Sequence, residues 1–458
     1  MKRTFCTLAL LFMWQTGHGG AFIFAIDANQ LTGNQRTLTH STGYTGTGGT
    51  LTVTVCIAND SESKTLLRNP VLNAIDRFNQ GVPVIGNLRQ GDANDIPPSA
   101  IDLESTLFHE LGHCQGLAHP NMASESGSLG VSSADWEYTK SIPGDNGQFD
   151  FAAGSDGLRG SPDDLRADDV NFHWFEVGVN DPFRIPLRAD IDPASYSLDL
   201  VDLPAGDSYA ANAERNVATG PFGLPATEAV MQQGQGFDED QRALAADDVA
   251  TLAIARAGFD RTAGTGDDYT VELVYGGDDG TGDCDIDVRM SGSSFAFCQV
   301  SGAGIGDDQV RITSALAQFG STSEFDWYFT DERIPSSGRD SLTVMPGATV
   351  TQLDSGESSL LANDTQPEDK ALSLDPGTYG GPDHGTVALN SGGTFSYTHA
   401  DDGSNEDFFI YRVCVDGTET CSYQQVNVTV QTVPTARIAV IASASPSSVD
   451  EPGGDVTI

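Results

Sequence analysis

Basic residues are scarce in this sequence: 23 Lys and Arg stand against 65 Asp and Glu, a formal charge of -42 over 458 residues. A chain this acidic is repelled by phosphate backbones instead of releasing their counterions, which excludes nucleic acid as a partner. Long apolar runs are also lacking; none reaches the roughly 20 residues that span a bilayer, so no transmembrane segment is expected. Charged residues make up only 19%, below the usual quarter, whereas Gly (51) and Pro (21) are plentiful. That balance excludes a long coiled coil or helical bundle and suits β-rich modules joined by turns. At about 100 to 200 residues per domain, the length predicts two to four domains.

The first residues read as an export signal. Lys2 and Arg3 precede the apolar stretch Leu8 to Trp14, and Gly19 and Ala21 offer a small-residue cleavage site, so residues 1–21 are expected to be a signal peptide and the mature chain to be secreted. Setting aside Cys6 leaves six cysteines, an even number in a compartment where disulfides persist. Sequence proximity pairs Cys284 with Cys298 and Cys414 with Cys421, and leaves Cys56 for Cys114.

Chemistry concentrates in LESTLFHELGHCQGLAH, residues 103 to 119. Leu103, Leu107 and Leu111 recur every four residues as the apolar stripe of a helix. His109 and His113 share that spacing, so their imidazoles stand on one face and are able to grip one ion. Gly116 lets the chain leave the helix through a turn that a Cβ would resist. His119 is then placed to return as a third ligand. Three neutral imidazoles leave zinc one open position, the arrangement of a catalytic site, and Glu110 adjoins the first ligand as a general base.

HELGHCQGLAH resembles the zinc-binding signature of the metzincin metallopeptidases, in their matrixin and serralysin branches. The resemblance implies Zn2+ held by His109, His113 and His119, with Glu110 as catalytic base and acid. It also implies an α+β catalytic domain, with a twisted sheet beside a zinc helix and a C-terminal helix. Pro120 follows the third His as in serralysins, although their glycine- and aspartate-rich repeats are missing. Metzincins place a methionine beneath the zinc, ahead of a last helix. Met231 fits that position, because ATEAVMQQG is followed by the helical pattern of ALAADDVATLAIARAGF and a stop at Gly258.

Three features depart from the family. His119 and Met231 lie 112 residues apart, which predicts a long insertion at 121–225. Gln233 occupies the position where serralysins and astacins carry a tyrosine. The helix suggested by residues 66–80 stands only some 22 residues before the zinc helix, so the sheet is expected to draw strands from TLTVTVCI or from the insertion. Within the insertion, DGLRGSPDDLRADD (156–169) invites Ca2+ through its five Asp, or is a solvated acidic loop. His173, nearby, is expected to be a packed histidine.

The catalytic domain is thus expected over 22–262. Residues 263–338 alternate in short segments that predict a small antiparallel β-domain. Residues 339–432 resemble a cadherin-like or bacterial Ig-like β-sandwich, with His384 and His399 as structural members of its strands. Residues 433–458 read as the start of a further, truncated β-module. The expected function is a secreted zinc-dependent endopeptidase acting on protein or peptide substrates, with C-terminal modules that hold it on a cell surface or matrix polymer. An extracellular adhesion protein with a vestigial protease domain is the alternative, and a zinc hydrolase of non-peptide substrates a third reading.

Overall fold

A computed structural model describes residues 22–26, 38–118, 122–123, 137–138, 174–176, 208–210, 230–231, 235–280, 283–306, 309–336, 338–377 and 379–431. The signal segment, His119, the acidic 156–169 segment, His173, Gln233 and the terminal 433–458 segment lie outside the described residues. Strands predominate over helices. In chain order the elements are α1 (Ile23–Ile26), β1 (Leu38–His40), β2 (Gly49–Ala58), α2 (Lys64–Gln80), β3 (Leu88–Gln90), β4 (Ile101–Asp102) and α3 (Leu103–Cys114). Two short pairs follow, β5 (Met122–Ala123) with β6 (Glu137–Tyr138) and β7 (Trp174–Glu176) with β8 (Ser208–Ala210). Then come β9 (Glu239–Gln241), α4 (Ala246–Arg256), β10 (Tyr269–Gly280), β11 (Ile286–Met290), β12 (Ala296–Gly306), β13 (Gln309–Phe319) and β14 (Trp327–Tyr328). The last group is β15 (Asp340–Val344), β16 (Thr349–Val350), β17 (Leu372–Asp375), β18 (Gly385–Leu389), β19 (Phe395–His399), β20 (Glu406–Val415) and β21 (Cys421–Val430).

One six-stranded sheet organises the N-terminal unit. β2 is flanked by β10 and β11, both parallel to it, and β13 runs parallel to β11 and β1. β12 pairs β13 antiparallel along its other edge. The alternation of Val53, Val55 and Ile57 along β2 turns one apolar face toward the helices. There Leu67, Val71, Ile75 and Phe78 of α2 meet Leu107, Phe108 and Leu111 of α3, the Phe78 and Phe108 rings 4.4 Å apart.

This arrangement corrects the expected boundary at 262. The strands from 269 onward complete the sheet begun by β2 and make no separate antiparallel domain; the TLTVTVCI run is β2, as expected, and among the described residues its sheet partners come from beyond α4. Period-two alternation shows which face of a strand is buried but not which strand lies beside it, and among the described residues of this sheet only β12 and β13 are paired strands consecutive in the chain.

The same topology re-pairs two disulfides. The bridges are Cys56–Cys284, Cys114–Cys298 and Cys414–Cys421, and only the last agrees with the sequence expectation. Because β11 and β12 lie on opposite edges of β13, Cys284 and Cys298 cannot meet. Cys284 instead stands beside β2, where Asp287 is in register with Cys56, and Cys298 on β12 faces the end of α3.

The C-terminal module is a sandwich of β15-β21-β20-β17 on β16-β19-β18. Phe409, Tyr411 and Val413 of β20 enter its own core with Val426 and Val428. The opposite face of the same strand is buried as well. Phe408, Ile410 and Tyr423 pack with Tyr379 against Val84 and Ala243 of the N-terminal unit. Ile85 N–H donates to Tyr379 O at 2.9 Å, and Arg77 Nη2 donates to Cys421 O at 2.9 Å, so the module is seated on the unit that carries α3. Within it, His399 is buried against Ser404 and His384 pairs with Asp402, both in strand-supporting positions. Among the described residues no helix is long and apolar enough to cross a membrane.

Candidate metal centre

The helix α3 begins where Asp102 stops the strand β4. Its backbone is extended (φ -69°, ψ 110°), and its carboxylate accepts from Ser105 N–H at 2.9 Å as an N-cap. Arg242 grips that buried carboxylate with two nitrogens, Nε at 2.7 Å and Nη2 at 2.6 Å. Glu104, in the first turn, is bound by Arg77 and by Asn73 Nδ2 at 2.9 Å. Negative charge here also suits the positive end of the helix dipole. The few basic side chains of the chain are therefore conspicuous inside it: Arg77 and Arg242 are 5% and 4% exposed. Neither Asp102 nor Arg242 is singled out by the zinc motif; an Asp immediately before an apolar helical pattern is the one signal that could have marked the cap.

His109 and His113 come together as the spacing requires, ring centroids 4.6 Å apart and nearly perpendicular. His109 Nδ1 lies 2.6 Å from Val230 O, and His113 Nδ1 lies 2.8 Å from Leu117 O. Donation to these carbonyls places the proton on Nδ1 and the lone pair on Nε2 in both rings, the tautomer a metal ligand needs. Burial pushes the His109 pKa down to about 3, with His113 adding to the effect, and burial lowers His113 too. Both imidazoles are therefore neutral at neutral pH. His119 lies outside the described residues. Among the described residues no group of three His, Cys, Asp or Glu is placed to hold one ion.

Glu110 is 5% exposed, and its Oε2 has no hydrogen-bond partner among the described residues. Burial pushes its pKa up to about 8, against the backbone amide of Cys298, which favours the charged form. An unpartnered buried carboxylate oxygen is costly unless a proton, a water or a cation stands by it.

Met231 is 1% exposed and lies directly under α3, its Sδ occupying the space a Cβ on Gly112 would take. Sequence reasoning placed Met231 here from the helix behind it, and α4 does follow. What it missed is Asp248, the third residue of α4. Its buried Oδ2 accepts from Ala245 N–H at 2.8 Å and from Val230 N–H at 3.1 Å, and burial pushes its pKa up to about 7. Asp248 thus anchors Val230 through its N–H, and the carbonyl of the same residue orients His109. At the far end of α3, Gly116 takes φ +106° and carries the chain to Leu117, as expected for a helix exit.

The antiparallel strand β12 pairs only with β13 among the described residues, and it packs beside α3. Cys298 of β12 is bonded to Cys114, the last residue of α3, at a Cα–Cα distance of 5.7 Å. Phe297, next to it, is 40% exposed.

Residues 332–429 match the family model described as a bacterial Ig domain. Among solved structures, Drosophila N-cadherin EC1-4 is 10% identical with a TM-score of 0.16, over 30% of this chain and 33% of that one. A chimeric titin Z1Z2 functionalised with a KLER exogenous peptide from decorin is 11% identical with a TM-score of 0.14, over 31% of this chain and 65% of that one. The chain therefore spans about a third of the length of the cadherin structure. No curated protein matches. The C-terminal sandwich is a bacterial Ig-like module, and the matched residues exclude α3 and its surroundings.

Proposed function

We propose that the chain is a secreted zinc-dependent endopeptidase, with His109, His113 and His119 holding the metal and Glu110 as general base. The observation that carries this reading is the pairing of two neutral, Nδ1-anchored imidazoles with an adjacent buried carboxylate whose Oε2 lacks a partner among the described residues. These donors fit zinc, which takes neutral imidazole nitrogens readily. When bound, zinc supplies a Lewis acid that polarises a carbonyl and acidifies water.

The protein's part follows from its own groups. Val230 O and Leu117 O hold the two rings in one tautomer and one orientation. Glu110 accepts the proton of the attacking water and returns it to the leaving amine, which requires a carboxylate; burial pushes its pKa up to about 8, and a cation held by the imidazoles would favour the charged form. The edge strand β12 lies beside Glu110 and offers main-chain groups along which an extended peptide is able to pair. Met231 under Gly112 supplies an apolar floor. The family resemblance carried by HELGHCQGLAH points the same way.

An adhesion or surface protein is the second reading, favoured by the Ig-like module at 332–429. Casein hydrolysis with and without 1,10-phenanthroline separates the two. Cleavage that the chelator abolishes and added zinc restores supports the peptidase; cleavage that survives chelation, or none by zinc-loaded protein, favours the second.

A further inference from the structure

A sandwich that serves as a spacer keeps water on the outer face of each sheet, yet β20 is covered on both sides. Every residue after Glu406 is buried, Phe409 and Tyr411 in the sandwich's own core and Phe408 and Ile410 against Val84 and Ala243 of the N-terminal unit. Polar groups continue the contact. Arg89 of β3 reaches Glu419 Oε2 at 3.2 Å. The segment 331–334, which leads into the module, lies along α2, where Asn69 Nδ2 donates to Asp331 O and Arg333 pairs with Asp76. Two α2 residues one turn apart then join this surface to α3. Asn73 is fully buried and uses both ends of its amide. Its Nδ2 donates to Glu104 Oε2 and to Glu332 O, each at 2.9 Å, and its Oδ1 accepts from Arg333 Nε and from Ile334 N–H, each at 3.0 Å. Arg77 binds Glu104 Oε1 through one nitrogen and donates through the other to Cys421 O, at 2.9 Å, on the hairpin closed by Cys414–Cys421. Glu104 stands in the first turn of α3.

We propose that the Ig-like module is a built-in folding partner of α3: docked through β20 and the 331–334 segment, it completes the buried hydrogen bonds of Asn73 and Arg77, which in turn hold Glu104 and the start of the helix. Without the module, Asn73 loses Glu332 O, Arg333 and Ile334, and Arg77 loses Cys421 O. The grip on Glu104 then passes from a dry site to a wet surface, where each of its bonds is weaker, and Val84 and Ala243 are left in water. The packing of α2 on α3 is therefore stable only with the module in place, and the two units unfold together, unlike modules strung on a linker. Asn73 and Arg77 act through Glu104 and are positioning residues. The face of the sandwich around Phe408 and Ile410 belongs to this internal partner and is withdrawn from any external one. The coupling concerns the folding of α3 and stands whether or not the helix serves a peptidase.

Hydrogen exchange of the full-length protein, read by mass spectrometry on peptides covering α3, β19 and β20, tests this with two variants. Leu342→Ala empties part of the sandwich core, which is not part of the contact with Val84 and Ala243, and a buried Leu→Ala change raises the unfolding constant by on the order of 100-fold. Exchange in α3 should rise by the same factor as in β20. A faster β20 beside an α3 that exchanges as in the wild type overturns the proposal. Ile410→Asp sets a carboxylate in the docking contact and leaves Phe409, Tyr411 and Val413 in the sandwich core. Exchange in α3 should then rise at least about 10-fold, and by more than in β19. A rise confined to the sandwich, or none, overturns the proposal. Zinc content and casein cleavage of the wild type keep the two readings apart. Coupled exchange in a protein that takes up no zinc upholds the coupling and removes the metal reading alone; uncoupled exchange in a zinc-loaded, active protein removes the coupling alone.

Discussion

The two halves of this molecule are built by opposite strategies. The sandwich that ends at Val430 is the more local of the two: its bridge Cys414–Cys421 spans 7 residues, β18–β19 and β20–β21 are adjacent hairpins, and its longest-range pairing, β15 with β21, stays within the module. The N-terminal sheet is assembled from afar: its bridges span 228 and 184 residues, and β2 finds both partners more than 200 positions away. Closing such loops is entropically expensive, and the gain is convergence. Segments around 109, 230, 248 and 298 meet at one helix, which no hairpin-built module of this size achieves. The local module is then seated against the distant-contact unit by Phe408, Ile410 and Tyr423, so it is a buttress as well as a β-module.

That contrast is open to direct tests. Removing a cross-link releases more chain entropy when the loop is long, so Cys56→Ala/Cys284→Ala should lower stability by about 5 kcal/mol and Cys414→Ala/Cys421→Ala by about 2.5 kcal/mol. Denaturant unfolding of the two variants checks the order, and equal losses would break the comparison. Asp102→Ala removes the cap of α3 and the carboxylate that Arg242 grips with two nitrogens, leaving it only the longer contacts to Asp240 and Glu104, an expected cost of about 3 kcal/mol. Asp102→Asn, which keeps the cap but not the charge, should lose less. Gly112→Ala drives a methyl group into Met231 Sδ, and overpacking of this kind costs about 1–3 kcal/mol. Its signature is a weaker zinc affinity by chelator competition, since α3 must lift from the turn that holds His109.

The smallest effect lies in the sandwich. The Asp402 carboxylate beside His384 raises the imidazole pKa and is itself held low by that pair. A raised histidine pKa contributes stability that is full below the unfolded value of 6.5 and is lost as pH rises through the folded value. His384→Gln should therefore lower Tm slightly at about pH 5.5 and not at about pH 9. A Tm difference that grows with pH would contradict it.

How much of this was legible in the sequence depends on the range of each interaction. The α3 stripe of Leu103, Leu107 and Leu111, the exit at Gly116 and the helix behind Met231 are written in local periodicity, and they form where the pattern places them. So do the hairpins β18–β19 and β20–β21 of the Ig-like sandwich, whereas its β15–β21, β16–β19 and β17–β20 pairings join strands that are not consecutive. Parallel pairing of β10 and β11 with β2 leaves no local trace, because alternation records burial and not partners. The Cys56–Cys284 and Cys114–Cys298 bridges follow from that pairing and were equally hidden. Asp248 was invisible for a similar reason: its function depends on Val230, whose distance in the chain gives no hint of a hydrogen bond.

The central claim is that α3 carries a metal site served by Glu110. Casein hydrolysis by the wild type beside Glu110→Gln, with zinc assayed in both, tests it most directly. Equal zinc in the two proteins, with a rate lower by on the order of 10²–10⁴ in the variant, is the predicted result. Equal rates, or no zinc in either, would contradict it.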